Sequence, residues 1–450
     1  MRKQTDRWGR SDGGSHDKPA RSTRRDEDMT RSGSKGAAKA SKEPEFTSIE
    51  ICAGAGGQAV GLHQAGFGHL ALVEIDQYAA KTLELNIEDH RLWTWERKHC
   101  DILEADVKEF DPFDTTLMKK SSGLLRQRGL DLLAGGVPCP PFSHAGKQLG
   151  KHDERDLFPR MLELVEILQP RAVMIENVRG LMDPKFADYR KLIQDELEQL
   201  DYVICKWGVL EAADFGVPQL RPRAILVAFR REVLGDLEYV WPTATHEDPV
   251  SVLESLDSSM LERFEPYFDS EHSKRARAAY AQWRKKAGDR DAELKGKGGG
   301  IAPTLVGGSK KHGGADLGPS RAKTAWKQLG ISGMGVANDI KTCAEKRSED
   351  RDLFGPDGPM LTVKQAAIIQ GFPDEWEFSG GKTAQYRQVG NAFPPPVARA
   401  VGKSILEVLK AAKKRDQQST KRGTKKTPTP VNPTQQQFEL WGTDDAATLG

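Results

Sequence analysis

From Phe46 to about residue 240 the chain alternates short apolar runs with amphipathic stretches, and no other feature constrains its fold as tightly. TSIEIC, LALVEI, LDLLA, AVMIENV and AILVAF are apolar at nearly every position, so they read as strands buried on both faces. QAVGLHQAGF, DQYAAKTLELNIE, FPRMLELVEILQ and YRKLIQDELEQL lie between them and carry apolar residues at helical spacing. Strands joined through helices pair in parallel, which predicts an α/β fold with a doubly wound, Rossmann-like parallel sheet.

The rest of the chain divides around this core. Residues 1–45 are rich in Ser, Gly and charge with hardly an apolar residue, and are expected to be a disordered tail. Residues 46–244 form the expected catalytic and ligand-binding domain. Residues 245–355 lose the rhythm and are Gly-rich and polar, so they read as a smaller irregular second domain inserted before 356–411, which complete the first. Residues 412–450 read as a basic disordered tail.

Composition narrows the class. The chain is 37% hydrophobic with nine Trp and sixteen Phe, enough for a large core. No apolar run approaches the roughly 20 residues that span a bilayer, and the first 25 residues contain no hydrophobic signal region. Five scattered cysteines without a C-x-x-C pair argue for reduced thiols in the cytoplasm, and against a disulfide framework or a bound metal. A net charge of +2 excludes a polycation, but Lys295–Lys311 and the C-terminal tail concentrate Lys and Arg in a way that suits a polyanion backbone or simply a solvated loop.

EICAGAGGQAVGLHQAGF reads as strand, Gly-rich turn and helix, with Gly54, Gly56 and Gly57 letting the backbone pass close to a ligand. LVEID puts Glu74 at the next strand end, about 20 residues on, where an acid can bind ribose hydroxyls. HCDI places Asp101 and Ile102 on the following strand, with Asp101 expected to accept from an adenine amino group. No P-loop pattern is present, so a nucleoside without a triphosphate fits this pocket, and S-adenosyl-L-methionine is such a ligand. GGVPCPPFS, Gly135–Ser143, then holds Cys139 between prolines at the same expected edge, a setting for a nucleophilic thiol. AVMIENV brings Glu176 there. Gln219, Arg221 and Arg223 precede a strand, at its far end or on a loop folded back.

With these motifs in order, the chain resembles the cytosine-5 DNA methyltransferase family over residues 46–411 outside the insert. Gly54, Gly56, Gly57, Glu74, Asp101, Cys139, Glu176, Gln219–Arg223 and GNAFPPPVARAVG (Gly390–Gly402) carry the resemblance. It departs at Cys52, where an aromatic is frequent, at Pro140, where Gln is frequent, and at Lys364-Gln365-Ala366, where Arg-Glu-Ala is frequent.

The resemblance implies an S-adenosylmethionine-dependent methyltransferase fold that acts on double-stranded DNA as a monomer. Cys139 would attack carbon 6 of a flipped cytosine, Glu176 would bond N3 and the amino group, and Arg221 and Arg223 would hold the base oxygen and a phosphate. Gly54, Gly56, Gly57, Glu74, Asp101, Ile102 and Asn391 would bind the cofactor. The polar stretch after Cys139 would close over DNA, and the insert would read the sequence. A bacterial restriction-modification system is the implied setting. An RNA substrate, a silent DNA-binding protein on the same fold and a thiol hydrolase built on Cys139 and His144 are the rival readings. Finally, QQQFELW resembles peptides that dock on the replication sliding clamp, which implies a contact through Gln437, Leu440 and Trp441.

Overall fold

Among the residues described by the computed structural model (43–89, 91–138, 156–293, 300–307 and 315–421), seven strands pair into one sheet. They are β1 (Phe46–Ile51), β2 (Phe67–Glu74), β3 (Asp101–Glu104), β4 (Leu132–Gly135), β5 (Ala172–Val178), β6 (Tyr202–Glu211) and β7 (Pro222–Arg230). Their order is β3-β2-β1-β4-β5-β7-β6. Every residue of β1, β2 and β4 is buried, as expected for strands covered on both faces.

The sheet is not wholly parallel. β7 runs antiparallel to both β5 and β6. Only residues 212–221 separate β6 from β7, too few for a crossover helix, so the chain turns back instead. This reversal brings the beginning of β7 to the carboxyl edge of the parallel strands. β3, read from HCDI, and β6, which adds to the strands read from sequence, are the two edges of the sheet. β6 is only partly buried along its length, so it lacks an unbroken apolar run.

Helix α1 (Gly57–Ala65) follows β1, and α2 (Gln77–Asp89) follows β2. The helix Pro395–Lys421 lies against α1 and one sheet face through Val397, Val401, Ile405 and Leu409, all buried at four-residue spacing. Each such side chain contributes about 1.5–3 kcal/mol. The two helices approach so closely that a Cβ at Gly61 would lie 2.5 Å from Ala398 Cβ. This helix corrects the expected tail boundary at 412. Ala412 is fully buried, and Arg415 donates to the carbonyls of Glu232 (2.9 Å) and Val233 (3.2 Å), so order continues to Lys421.

The stretch expected to be irregular is largely helical where it is described. Helices Val252–Phe264, Ser273–Glu293, Ser320–Gln328 and Ile340–Lys346 surround a core containing Leu256, Phe264, Trp283 and Trp326. That core is continuous with Leu72 of β2, Leu83 of α2 and Trp376. Cys139, the polar stretch from Ser143 to Arg155, Lys310–Lys311 and the Gln437–Leu440–Trp441 segment lie outside the described residues, as do residues 1–42.

Candidate active site

The Gly-rich turn begins where β1 ends. Cys52, Gly54 and Gly56 all have positive φ (52°, 55° and 88°), so the backbone coils tightly before α1. Gly56 is fixed twice over. Its φ favours glycine, and a Cβ there would stand 2.7 Å from the Trp376 ring and 2.8 Å from Leu83. Trp376 also donates its indole N–H to Ala55 O (3.0 Å), tying the turn to the segment after residue 370.

Glu74, the last residue of β2, accepts from Gly54 N (2.7 Å) and Asp76 N (2.8 Å). Burial raises its pKa, while these two N–H groups oppose the shift. The Cys52 thiol beside it is pushed up to about 12, first by burial and then by Glu74 and Asp106, so it is not a nucleophile at neutral pH.

Asp101 is not at this edge. It is the first residue of β3, paired across to Ala71, three residues before Glu74. Its carboxylate accepts from Lys120 N (3.0 Å), Ser121 N (3.0 Å) and Ser121 Oγ (2.7 Å), which anchors the start of the next helix. Ile102 follows it within the strand. The acid just beyond the carboxyl end of β3 is Asp106, whose Oδ1 accepts from Lys108 N (3.0 Å) and whose charge acts on Cys52. DILEADV contains both acids, and the position of the strand end distinguishes them.

On the other side of the turn, β4 runs into Gly136, Val137 and Pro138. Asn177 of β5 donates to Val137 O (2.8 Å), and Leu157 N donates to Pro138 O (3.4 Å), so the points where the Cys139 segment departs and returns are held together. Glu176 of β5 is 13% exposed and pairs with Arg223 Nε at 2.8 Å. Burial raises its pKa, and Arg223 and then Arg221 pull it back. Arg223 reaches it because β7 is antiparallel and starts at this edge.

Arg221 has a different task from the one expected. It is 1% exposed and donates to the carbonyls of Leu305 (2.7 Å), Gly390 (2.8 Å) and Ala392 (2.9 Å). Gln219 works beside it, accepting from Leu305 N (2.8 Å) and donating to Gln370 Oε1 (2.8 Å). Arg221 therefore ties its own segment to those of Leu305 and Gly390–Ala392, and the ends of its fork are already occupied by carbonyls rather than free for a base.

These groups surround a cavity of about 350 Å³ lined by Cys52, Glu74, Pro138, Glu176, Arg387 and Asn391 among others, within the range of small-ligand sites. Asn391 ends the helix Lys382–Asn391, which returns the chain to the Gly-rich turn. Asp106 and Arg387 escaped sequence reading: the first needs the strand boundary, the second the helix face. The described residues contain no group of three or more His, Cys, Asp or Glu able to hold a metal, and no helix long and apolar enough to cross a membrane.

Known proteins share this chain's sequence widely. Residues 46–407 match the family described as C-5 cytosine-specific DNA methylase. Type II methyltransferase M.NaeI of Lentzea aerocolonigenes is 45% identical over 80% of this chain and 75% of its own length. M.NgoMIV of Neisseria gonorrhoeae is 43% identical over 81% and 99%, and M.Eco47II of Escherichia coli is 32% identical over 82% and 81%. On this match and these identities, the chain belongs to the C-5 cytosine-specific DNA methylases and is a DNA cytosine-5 methyltransferase.

Proposed function

We propose that the cleft binds S-adenosylmethionine beside a cytosine flipped out of double-stranded DNA, and that Cys139 is the nucleophile. The observation that carries this reading is Glu176, held by Arg223, lining one wall of the same cleft as the Gly-rich turn and Pro138. The donor set fits the cofactor: Glu74 and Asn391 line the cleft, Glu74 offers a carboxylate to ribose hydroxyls, and Asp106, whose charge reaches Cys52 in the lining, would accept from an adenine amino group. The bound cofactor supplies the methyl group.

The chain's own residues prepare the base. Carbon 5 of cytosine is a weak nucleophile until the ring gains electrons. The Cys139 thiolate forms a bond to carbon 6, which places negative charge on the ring. Glu176, whose pKa is raised by burial, keeps a proton more readily than an exposed carboxyl. One oxygen can donate to N3 while the other accepts from the exocyclic amino group, and Arg223 orients the carboxyl. After methyl transfer the carbon 5 proton leaves to a base, the ring electrons return, and the sulfur–carbon 6 bond breaks. The lobe from 252 to 361 reads the target sequence, and the relatives' names suggest the modification half of a Type II restriction-modification system.

Duplexes carrying 5-fluorocytosine in many sequence contexts test the reading. Fluorine cannot leave as a proton does, so the protein with cofactor is expected to form a covalent adduct that Cys139→Ser abolishes. An adduct that persists in the variant would remove Cys139 from the mechanism.

A further inference from the structure

Residues 384, 387, 388 and 391 of the helix Lys382–Asn391 follow three- and four-residue spacing, and all four line the cleft. The opposite side of this helix, with Tyr386 and Val389, is buried in protein. Arg387 thus stands mid-helix on the face that the cleft exposes.

Its surroundings are unusual for a guanidinium. Among the described residues the lining side chains include three carboxylates, Glu74, Asp76 and Glu176, and one cation, Arg387. Glu176 is already paired with Arg223, Glu74 accepts two backbone N–H groups, and Asp76 accepts from Tyr78 N and Ala79 N. No described residue accepts a hydrogen bond from the Arg387 side chain, and its Nε is buried without a partner. A buried donor with no acceptor carries a desolvation penalty, which an acceptor on a bound ligand would offset. Arg221 and Arg263, the two most deeply buried arginines among the described residues, give the ends of their forks to carbonyl and amide oxygens instead, although Arg221 Nε is also without a partner.

We infer that Arg387 is the oxyanion receptor of the cleft, forming a charge-assisted hydrogen bond to an anionic oxygen of a bound ligand. The inference rests on the methyltransferase reading, which supplies two oxyanions: the carboxylate of the cofactor's amino-acid moiety and a phosphate next to the flipped nucleotide. Both offer anionic oxygens that a guanidinium fork can hold.

The full-length protein and its Arg387→Gln and Arg387→Lys variants separate these sources. The first arm compares binding of S-adenosylmethionine with its decarboxylated analogue. If the cofactor carboxylate is the partner, the unsubstituted protein prefers S-adenosylmethionine by about tenfold to a hundredfold. Arg387→Gln then loses most of that preference, and Arg387→Lys keeps part of it. The second arm measures affinity for the duplex recovered by 5-fluorocytosine trapping against salt concentration. If a phosphate is the partner, Arg387→Gln flattens the log–log slope by about 0.9 and leaves the cofactor preference intact. Thermal unfolding confirms that each variant is folded. Variants that bind both cofactors and DNA like the unsubstituted protein would overturn the assignment. An unsubstituted protein that binds neither cofactor and forms no adduct would instead overturn the methyltransferase reading beneath it.

Discussion

In the helical lobe, Arg263 is 5% exposed and donates to Met360 O (2.8 Å), Asp352 O (3.2 Å) and Gln365 Oε1 (2.7 Å). In the cleft, Arg223 holds one carboxylate and the carbonyl of Pro222 (2.9 Å), and Arg387 holds no described partner. Both regions bury cations, but the lobe satisfies its cation internally and the cleft leaves capacity unused. A guanidinium whose two terminal nitrogens are engaged fixes chain segments, whereas one whose terminal nitrogens lack partners keeps hydrogen bonds for a ligand. Arg221, just before β7, and Arg223, within it, bring the contrast to a spacing of two residues.

Substituting that pair breaks the comparison most sharply. Arg221→Ala strands the carbonyls of Leu305, Gly390 and Ala392 in the interior, and is expected to cost about 3–5 kcal/mol of stability. Arg223→Ala releases Glu176 and is expected to lower methyl transfer by about 10²–10³ with a much smaller change in unfolding midpoint. Denaturant unfolding beside single-turnover methylation separates them. If Arg221→Ala unfolded like the unsubstituted protein while losing activity, the clasp would be the wrong description.

Gly56→Ala comes next. The added methyl group meets Trp376 and Leu83 at under 3 Å, and a positive φ disfavours any side chain. A loss of about 2–3 kcal/mol is expected, accompanied by weaker cofactor binding measured by calorimetry. Gly54, with open space at its Cβ position, offers the control: Gly54→Ala should suffer only the backbone strain.

A third contrast concerns charge itself. Glu50 of β1 is fully buried, and burial raises its pKa to about 8, opposed only by the Gln58 amide. His69, 3.4 Å away, is lowered to about 4, again mainly by burial. At neutral pH the two are therefore uncharged, and their contact is no ion pair. A raised carboxyl pKa means that the folded state holds its proton more tightly than the unfolded chain does. That stability is complete below about 4.5 and is lost as pH rises through about 8. Glu50→Gln removes the titration, so its unfolding free energy at pH 8.5 is expected to exceed that of the unsubstituted protein by about 1–3 kcal/mol relative to pH 5. Parallel pH profiles for the two would mean that Glu50 is hydrated and titrates normally.

The site and its frame were legible in the sequence to different depths, for physical reasons. β1, β2, β4 and β5 are buried on both faces, so burial wrote itself into unbroken apolar runs. β3 and β6 are edges and carry no such run. The helix Ser273–Glu293 buries only Ala276, Trp283 and Ala287 in 21 residues, too few to produce a visible helical period. Glu176 was placed correctly at the carboxyl edge because a central strand leads straight to it. Arg221 and Arg223 could not be told apart, since their roles depend on the antiparallel turn of β7 and on carbonyls about 80 and 170 residues further along the chain.

The same uncertainty about where a strand ends underlies the two aspartates of DILEADV, whose substitution tests the smallest effect. Asp101→Asn weakens charge-assisted bonds to Lys120 N, Ser121 N and Ser121 Oγ, and is expected to cost about 1–2 kcal/mol of stability while leaving cofactor affinity alone. Asp106→Asn keeps an oxygen for Lys108 N, so the turn survives. Its expected effect is a cofactor affinity about three- to tenfold lower at an unchanged unfolding midpoint, because an amide oxygen is a weaker acceptor than a carboxylate. Calorimetric titration with S-adenosylhomocysteine reads both. Weaker binding by Asp101→Asn without loss of stability would return the adenine contact to Asp101, and would require β3 to end before the position that its pairing with β2 gives it.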